Sequence, residues 1–258
     1  MGFKCGLVGM PNVGKSSIFN LLTAQKIPAN NYPFCTIDPN IAYVKVSDER
    51  LDILADINKS KNIVNTSIEF VDIAGLIKGA SKGEGLGNEF LSHINGTDVI
   101  AHVVRFFEDK EILHVKENYT PLEDFQDINL ELILSDLSST EKYLERIKKS
   151  KLNIKDKEKI SDDLKHLIKH LSNDKFASSF SFSEELSQCN DFKLLTTKPM
   201  FVIANINNQS SSNKIKEFSK EIDSDIKIIT IDVKLEQDIS ELDESEEKEF
   251  LNELGYEE

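Results

Sequence analysis

The stretch Gly9-Met10-Pro11-Asn12-Val13-Gly14-Lys15-Ser16 follows directly on an apolar, β-rich run, Phe3 to Val8, and leads into a helical pattern, Ile18 to Leu22. Its spacing is G-x-x-x-x-G-K-[ST], the phosphate loop of strand–loop–helix nucleotide sites. The chemistry asks for these residue types in this order. Glycines let the backbone curl so that successive N–H groups point at phosphate oxygens, the lysine brings a point charge to the β and γ phosphates, and the next hydroxyl is a ligand for Mg²⁺. With glycine at about 7% of residues, four such fixed positions arise by accident in about one chain of this length in a hundred. The flanking strand and helix make the accident rarer still. Asn12, Val13, Gly14, Lys15, Ser16 and Ser17 are the expected nucleotide-binding residues.

Two further motifs follow in the order that a response to the γ phosphate requires. Thr36, in Asn31-Tyr32-Pro33-Phe34-Cys35-Thr36, offers a hydroxyl to complete the Mg²⁺ shell. Asp72 ends an apolar strand and opens Asp72-Ile73-Ala74-Gly75, where the carboxylate suits a metal held through water and the Gly75 N–H suits the phosphate. Alone, Asp-x-x-Gly is a common turn; some 60 residues beyond a phosphate loop it reads as a nucleotide switch. Leu76 stands where many related hydrolases place the glutamine that positions water, and leucine cannot orient water, so slow intrinsic hydrolysis is expected. His114, after the run Val99 to Val104, is a candidate to orient or deprotonate water, against the alternative of a surface-loop histidine. Lys78 to Gly87 carries four glycines, a composition suited to a segment that changes conformation.

Farther out, ten of the eleven glycines lie in the first 96 residues, so chemistry is expected there. Short β-rich runs at Phe3 to Val8, Ile41 to Val46, Ile68 to Ile73, Val99 to Val104, Phe201 to Ala204 and Lys227 to Ile231 alternate with helical patterns. The expected class is α/β: a P-loop, G-domain-like, mostly parallel sheet flanked by helices. From Leu122 to Lys198 there is neither glycine nor proline, and Leu130, Leu134, Leu137, Leu144 and Ile147 recur at helical spacing, as do Ile160, Leu164, Leu167 and Leu171. An inserted antiparallel helical hairpin, a coiled coil, follows. The expected division is a nucleotide-binding domain over 1–125 and 196–258, interrupted by the hairpin over 126–195.

The 258 residues correspond to roughly 1.7 typical domains, and 39% hydrophobic with 29% charged residues excludes a disordered chain, a fibre or a membrane span. A formal charge of −14 argues against wrapping nucleic acid over the whole surface. The exception is local: from Glu141 to Lys159 eight basic residues face four acidic ones at the expected hairpin tip, either a solvated helical surface or an RNA contact. Three cysteines and no apolar signal segment at the start indicate the cytoplasm. Cys35 could sense oxidation, though structural or incidental use is the simpler reading.

Gly9 to Ser16, Asn31 to Asn40 and the long run Phe70 to Asn88 resemble the Obg-like ATPases, the YchF family. The likeness extends in order through most of the chain and is weakest from about 150 to 190. It implies a P-loop domain of the translation-factor class with an inserted coiled coil, ATP hydrolysed in preference to GTP, and association with ribosomes. It also implies that His114 is the water-positioning residue and that Asn12 is the asparagine linked to K⁺-assisted hydrolysis. Two departures stand out. The family continues into a C-terminal TGS domain, and this chain stops where that module would begin. GTPases of the class read guanine with Asn-Lys-x-Asp, whereas Asn205-Ile206-Asn207-Asn208 stands here. The lysine is lost and Asn208, a neutral amide, replaces both the guanine-binding aspartate and the family's usual glutamate. Asn205 and the Ile206 backbone remain the expected base-side contacts, while Asp232 to Glu236, at the second base-side loop, lacks the family's usual small residues.

The resulting expectation is an ATPase switch that uses Mg²⁺, with K⁺ as a further cofactor. Its catalytic residues are Lys15, Thr36, Gly75 and His114; its metal-site residues are Ser16, Thr36 and Asp72, with Asn12 for K⁺. A GTPase of the Obg type and a nucleotide-gated ribosome- or RNA-binding module with incidental hydrolysis are the alternatives. The expected partners are ATP and the ribosome, with no membrane and no specific DNA; a monomer is expected.

Overall fold

Six strands form one sheet: β1 (Lys4–Val8), β2 (Ile41–Lys45), β3 (Ser67–Asp72), β4 (Val99–Arg105), β5 (Met200–Asn205) and β6 (Lys227–Ile231), in the spatial order β2-β3-β1-β4-β5-β6. All neighbours are parallel except the edge strand β2, which runs antiparallel to β3. The chain is a computed structural model describing residues 2–24, 40–73, 86–109, 112, 114, 119–150, 152–207 and 212–253. Among the central strands, β4 (VIAHVVR) is buried from Ile100 to Arg105 because both faces of a parallel sheet are covered, which explains its near-continuous apolar run. Burial pushes His102, stacked on Phe125 at 4.9 Å, down to about 3, so this imidazole is a neutral core residue.

The order matters for function. β1 lies between β3 and β4, and the chain leaves it toward β2 and β3 on one side and later returns to β4, β5 and β6 on the other. Crevices at such a reversal, at the carboxyl ends of the strands, are where open α/β sheets take ligands. Register brings Leu7 opposite Asp72, Val8 opposite His102, and Asn205 between Arg105 and Ile231.

Among the described residues, the helices are α1 (Lys15–Ala24), α2 (Glu49–Asn58), α3 (Leu86–Asn95), α4 (Pro121–Lys149), α5 (Ile154–Leu171), α6 (Glu184–Ser187), α7 (Ser212–Glu221), α8 (Val233–Ser240) and α9 (Glu244–Glu253). The 29-residue α4 starts cleanly: Pro121 fits the first turn, the Thr120 hydroxyl accepts from the Glu123 N–H, and the Glu123 carboxylate accepts from the Thr120 N–H. Its first turns bring Phe125, Ile128 and Leu132 against the sheet core, so a boundary at 125 falls inside this helix. Beyond them α4 leaves the sheet and meets α5. Tyr143, Leu144 and Ile147 pack with Ile160 and Leu164, while Ile133 packs with Leu167 and Leu171, which makes the pair antiparallel.

The buried stripe of α4 differs from the expected leucine series. It runs through Phe125, Ile128, Leu132, Asp136, Thr140, Leu144 and Ile147, and Leu130 is exposed. Within that stripe Asp136 and Thr140 are polar. The buried Asp136 carboxylate accepts from the Leu195 N–H at 2.7 Å, the Thr196 N–H at 2.8 Å and the Thr196 hydroxyl at 2.6 Å, and so pins the returning segment to the helix. Among the described residues no helix is long and apolar enough to cross a membrane.

Candidate nucleotide-binding site

The loop after β1 has the backbone its sequence demands. Gly14 has φ 101°, and a Cβ added there would lie 2.3 Å from Asn205 Nδ2, so side-chain-free backbone is needed on both counts. Asn12, at φ 61°, takes the left-handed conformation that asparagine tolerates better than most residues. Val13 is fully buried beneath the loop. The Asn205 amide donates to the Val13 carbonyl at 2.9 Å and its oxygen accepts from the Val233 N–H at 3.4 Å, so the end of β5 is stitched to the phosphate loop on one side and to α8 on the other.

Lys15 opens α1 and is buried, with its ammonium donating to the Met10 carbonyl at 2.8 Å across the loop. Burial pulls its pKa down to about 8, opposed by the charge of Asp72. The Ser16 hydroxyl donates to Asp72 Oδ2 at 3.2 Å, while the buried Oδ1 has no hydrogen-bond partner among the described residues. A hydroxyl and a carboxylate converging beside a phosphate loop form a hard-oxygen donor pair that fits Mg²⁺. A cleft of about 800 Å³ lies over this ground. It is lined on the phosphate side by Asn12, Gly14, Lys15, Ser16 and Ser17, and on the other by Asn205, Ile206 and Asn207. Phe107, Asp109 and Ile112 wall it from the loop after β4, and Lys234, Gln237 and Asp238 from α8. Sequence reading placed Lys234 in the second base-side loop but missed Phe107, Asp109, Ile112, Gln237 and Asp238, which carry no motif: they reach the cleft because β4 and β6 end at the same edge of the sheet.

His114 stands apart from the lining residues of the cleft. Its side chain is only 4% exposed, Nε2 lies 2.8 Å from Asp124 Oδ2 on α4, and its ring stacks on Tyr119 with centroids 3.7 Å apart. Neither expected reading described this arrangement: the residue is neither a solvated loop histidine nor, in this conformation, a group facing the phosphates. Thr36, Gly75, Leu76, Cys35, Asn208 and most of the glycine-rich run Lys78 to Gly87 lie outside the described residues.

A protein-family profile described as "50S ribosome-binding GTPase" matches residues 4–136. The chain is 44% identical to the "Ribosome-binding ATPase YchF" of Haemophilus influenzae, with 100% of this chain aligned to 72% of that protein. It is 42% identical to the protein of the same name from Bacillus subtilis, again over its whole length and 73% of the relative. Among solved structures, the "YchF GTPase" of Schizosaccharomyces pombe superposes with a TM-score of 0.81 at 35% identity, covering 99% of this chain and 72% of that one. These names divide between ATPase and GTPase.

Proposed function

The chain belongs to the YchF family of P-loop nucleotide hydrolases, and from that premise we propose that it is a ribosome-associated switch that hydrolyses ATP, in preference to GTP, to ADP and phosphate. The observation that carries the reading is a cleft lined by Lys15 and Ser16 on one side and by Asn205, Ile206 and Asn207 on the other, with Asp72 hydrogen-bonded to the Ser16 hydroxyl. On nucleotide binding the loop N–H groups take the phosphate oxygens, and the Lys15 ammonium exchanges the Met10 carbonyl for the β and γ phosphates. Ser16, Thr36 and Asp72, the last through water, would hold Mg²⁺, whose chemistry is to neutralise charge on the β- and γ-phosphate oxygens. Water attacks the γ phosphorus in line as the bond to ADP breaks, with the Gly75 N–H on the transferred phosphoryl group and His114 orienting the nucleophile. For that role His114 must leave Asp124 and Tyr119. Asn12 is the residue through which K⁺ would add positive charge.

Selectivity follows from what the base side lacks. Ile206 replaces the lysine that packs along guanine, and it is partly buried against Val202, Ala204 and their neighbours. A neutral amide at 208 offers no charged bidentate acceptor for guanine, so contact falls to the Asn205 and Ile206 positions. The proposed division is 1–125 and 196–258 for the nucleotide domain and 126–195 for the hairpin, with α4 continuous across the boundary and its Ile128 and Leu132 still packed on the sheet. A competition titration of ATP against GTP, with Mg²⁺ and with either K⁺ or Na⁺, tests the assignment: ATP binds more tightly and K⁺ raises turnover. GTP binding at least tenfold tighter would reject it. The sequestered His114 also favours a second reading, in which ribosome engagement is the output and hydrolysis incidental. Nucleotide-dependent ribosome pelleting that survives His114→Ala supports that version.

A further inference from the structure

We propose that Arg105 is a positioning residue that couples the phosphate loop to the loop bearing His114, so that nucleotide loading at one is felt at the other. Arg105 ends β4 and is only 2% exposed. A buried guanidinium stays charged and must be met by acceptors, and here they are main-chain carbonyls of two different loops. On the His114 side, Nε donates to the Phe107 carbonyl at 3.2 Å, Nη1 to Ile112 at 3.0 Å and Nη2 to Asp109 at 3.2 Å. On the nucleotide side, the same Nη1 reaches the Asn12 carbonyl at 3.5 Å, its longest contact. The guanidinium carbon lies 4.2 Å from the centroid of the Phe107 ring and 5.5 Å from that of Tyr119.

The residues so joined are the ones that feel a bound nucleotide. Asn12, Phe107, Asp109 and Ile112 all line the cleft. Tyr119 continues the path, its hydroxyl donating to the Phe107 carbonyl at 3.2 Å while its ring covers His114. Nη1 is shared between Asn12 and Ile112, with the second contact 0.5 Å shorter than the first. When phosphates reorient the peptide at Asn12, the balance of that shared donor changes, and the planar fork transmits the change to the three carbonyls it holds. Lysine could supply the charge but not the fixed fork.

The catalytic consequence rests on the reading of His114 given above; the coupling itself does not. Hydrogen exchange of the full chain is compared with and without a slowly hydrolysed ATP analogue plus Mg²⁺, for the wild type, Arg105→Lys and Phe107→Leu. In the wild type the analogue protects residues 9–16 and alters exchange across 106–119. Arg105→Lys keeps the first response and loses at least two-thirds of the second, whereas Phe107→Leu, which retains the guanidinium without the ring beneath it, loses part of it and decides the matter if the lysine variant does not fold. Turnover of Arg105→Lys falls at least tenfold with KM within threefold, and the same change on a His114→Ala background costs no further activity. An unaltered response at 106–119 in both variants, or a wild-type loop indifferent to a protected phosphate loop, overturns the coupling. Normal turnover of His114→Ala overturns the role of that histidine and leaves the exchange result to judge Arg105.

Discussion

Lys15 carries its charge in a buried position where its pKa is about 8, and a triphosphate arriving there pulls that value back up. The sign follows from linkage. With its folded-state value lowered, the ammonium costs stability in the free protein below pH 8, and this cost is relieved as pH rises from there toward the ordinary lysine value of about 10.4. Nucleotide binding has the opposite slope, since only the charged form serves the phosphates. Affinity for ATP is therefore level below pH 8 and about tenfold weaker at pH 9 than at pH 7. Calorimetry in buffers of differing ionisation enthalpy checks the same point, because proton uptake accompanies binding near pH 8. A flat affinity from pH 7 to 9 would contradict the buried-ammonium account. His114 gives the second prediction at this scale. Its contact with Asp124 holds it away from the cleft, and a charge-assisted hydrogen bond is worth about 1.5–3 kcal/mol. Asp124→Ala therefore raises intrinsic turnover, by about tenfold at the lower end of that range, while His114→Ala lowers it; a fall in both variants would show that Asp124 orients the histidine for work rather than holding it back.

At the scale of the element, α4 shows both what periodicity reads and what it misses. The strands are found within a residue or two of where alternating and continuous apolar runs place them, and the phosphate loop sits where its spacing puts it. The hairpin is also present, but the apolar count assigned Leu130 to its buried face, and Leu130 is exposed. The reason is chemical: Asp136 and Thr140 hold core positions, and a count of leucines and isoleucines cannot register a carboxylate that is buried because three donors surround it. The same limit hid Arg105 and Asp124, charged side chains that are buried because specific acceptors or donors meet them, carbonyls of Asn12, Phe107, Asp109 and Ile112 for the first and His114 for the second. Removing the carboxylate leaves the Leu195 and Thr196 N–H groups and the Thr196 hydroxyl without their acceptor. Asp136→Ala accordingly costs about 2–4 kcal/mol in urea unfolding, with nucleotide affinity in the folded protein unchanged. Thr120→Ala, which removes one side of the capping box at the start of the same helix, costs about 1 kcal/mol. An Asp136→Ala loss below that of the cap would mean that the returning segment is held by its apolar contacts instead.

Across the whole molecule, charge and distance separate the hairpin tip from the nucleotide site. The chain is acidic, at −14, yet the far end of the hairpin carries its lysines in a cluster. Part of that charge is engaged within the hairpin: Arg146 pairs with Asp191, Lys148 with Glu145 and Lys159 with Glu185. The tip also exposes Leu152 and Ile154, the latter at 76%. Because α4 has 29 residues, its C-terminal end stands about 43 Å from the end at which it enters the nucleotide domain, several times the Debye length of about 8 Å at physiological ionic strength. Charge at the tip is thus screened from the phosphate site, and the two functions are separable by mutation. Lys148, Lys149 and Lys151 changed together to Glu leave ATP affinity within twofold. If the tip meets ribosomal RNA, the same change lowers pelleting with ribosomes at least tenfold near 0.1 M salt, and flattens the dependence of log K on log salt by about two to three. Unchanged pelleting at unchanged nucleotide affinity would move the ribosomal contact off the hairpin tip.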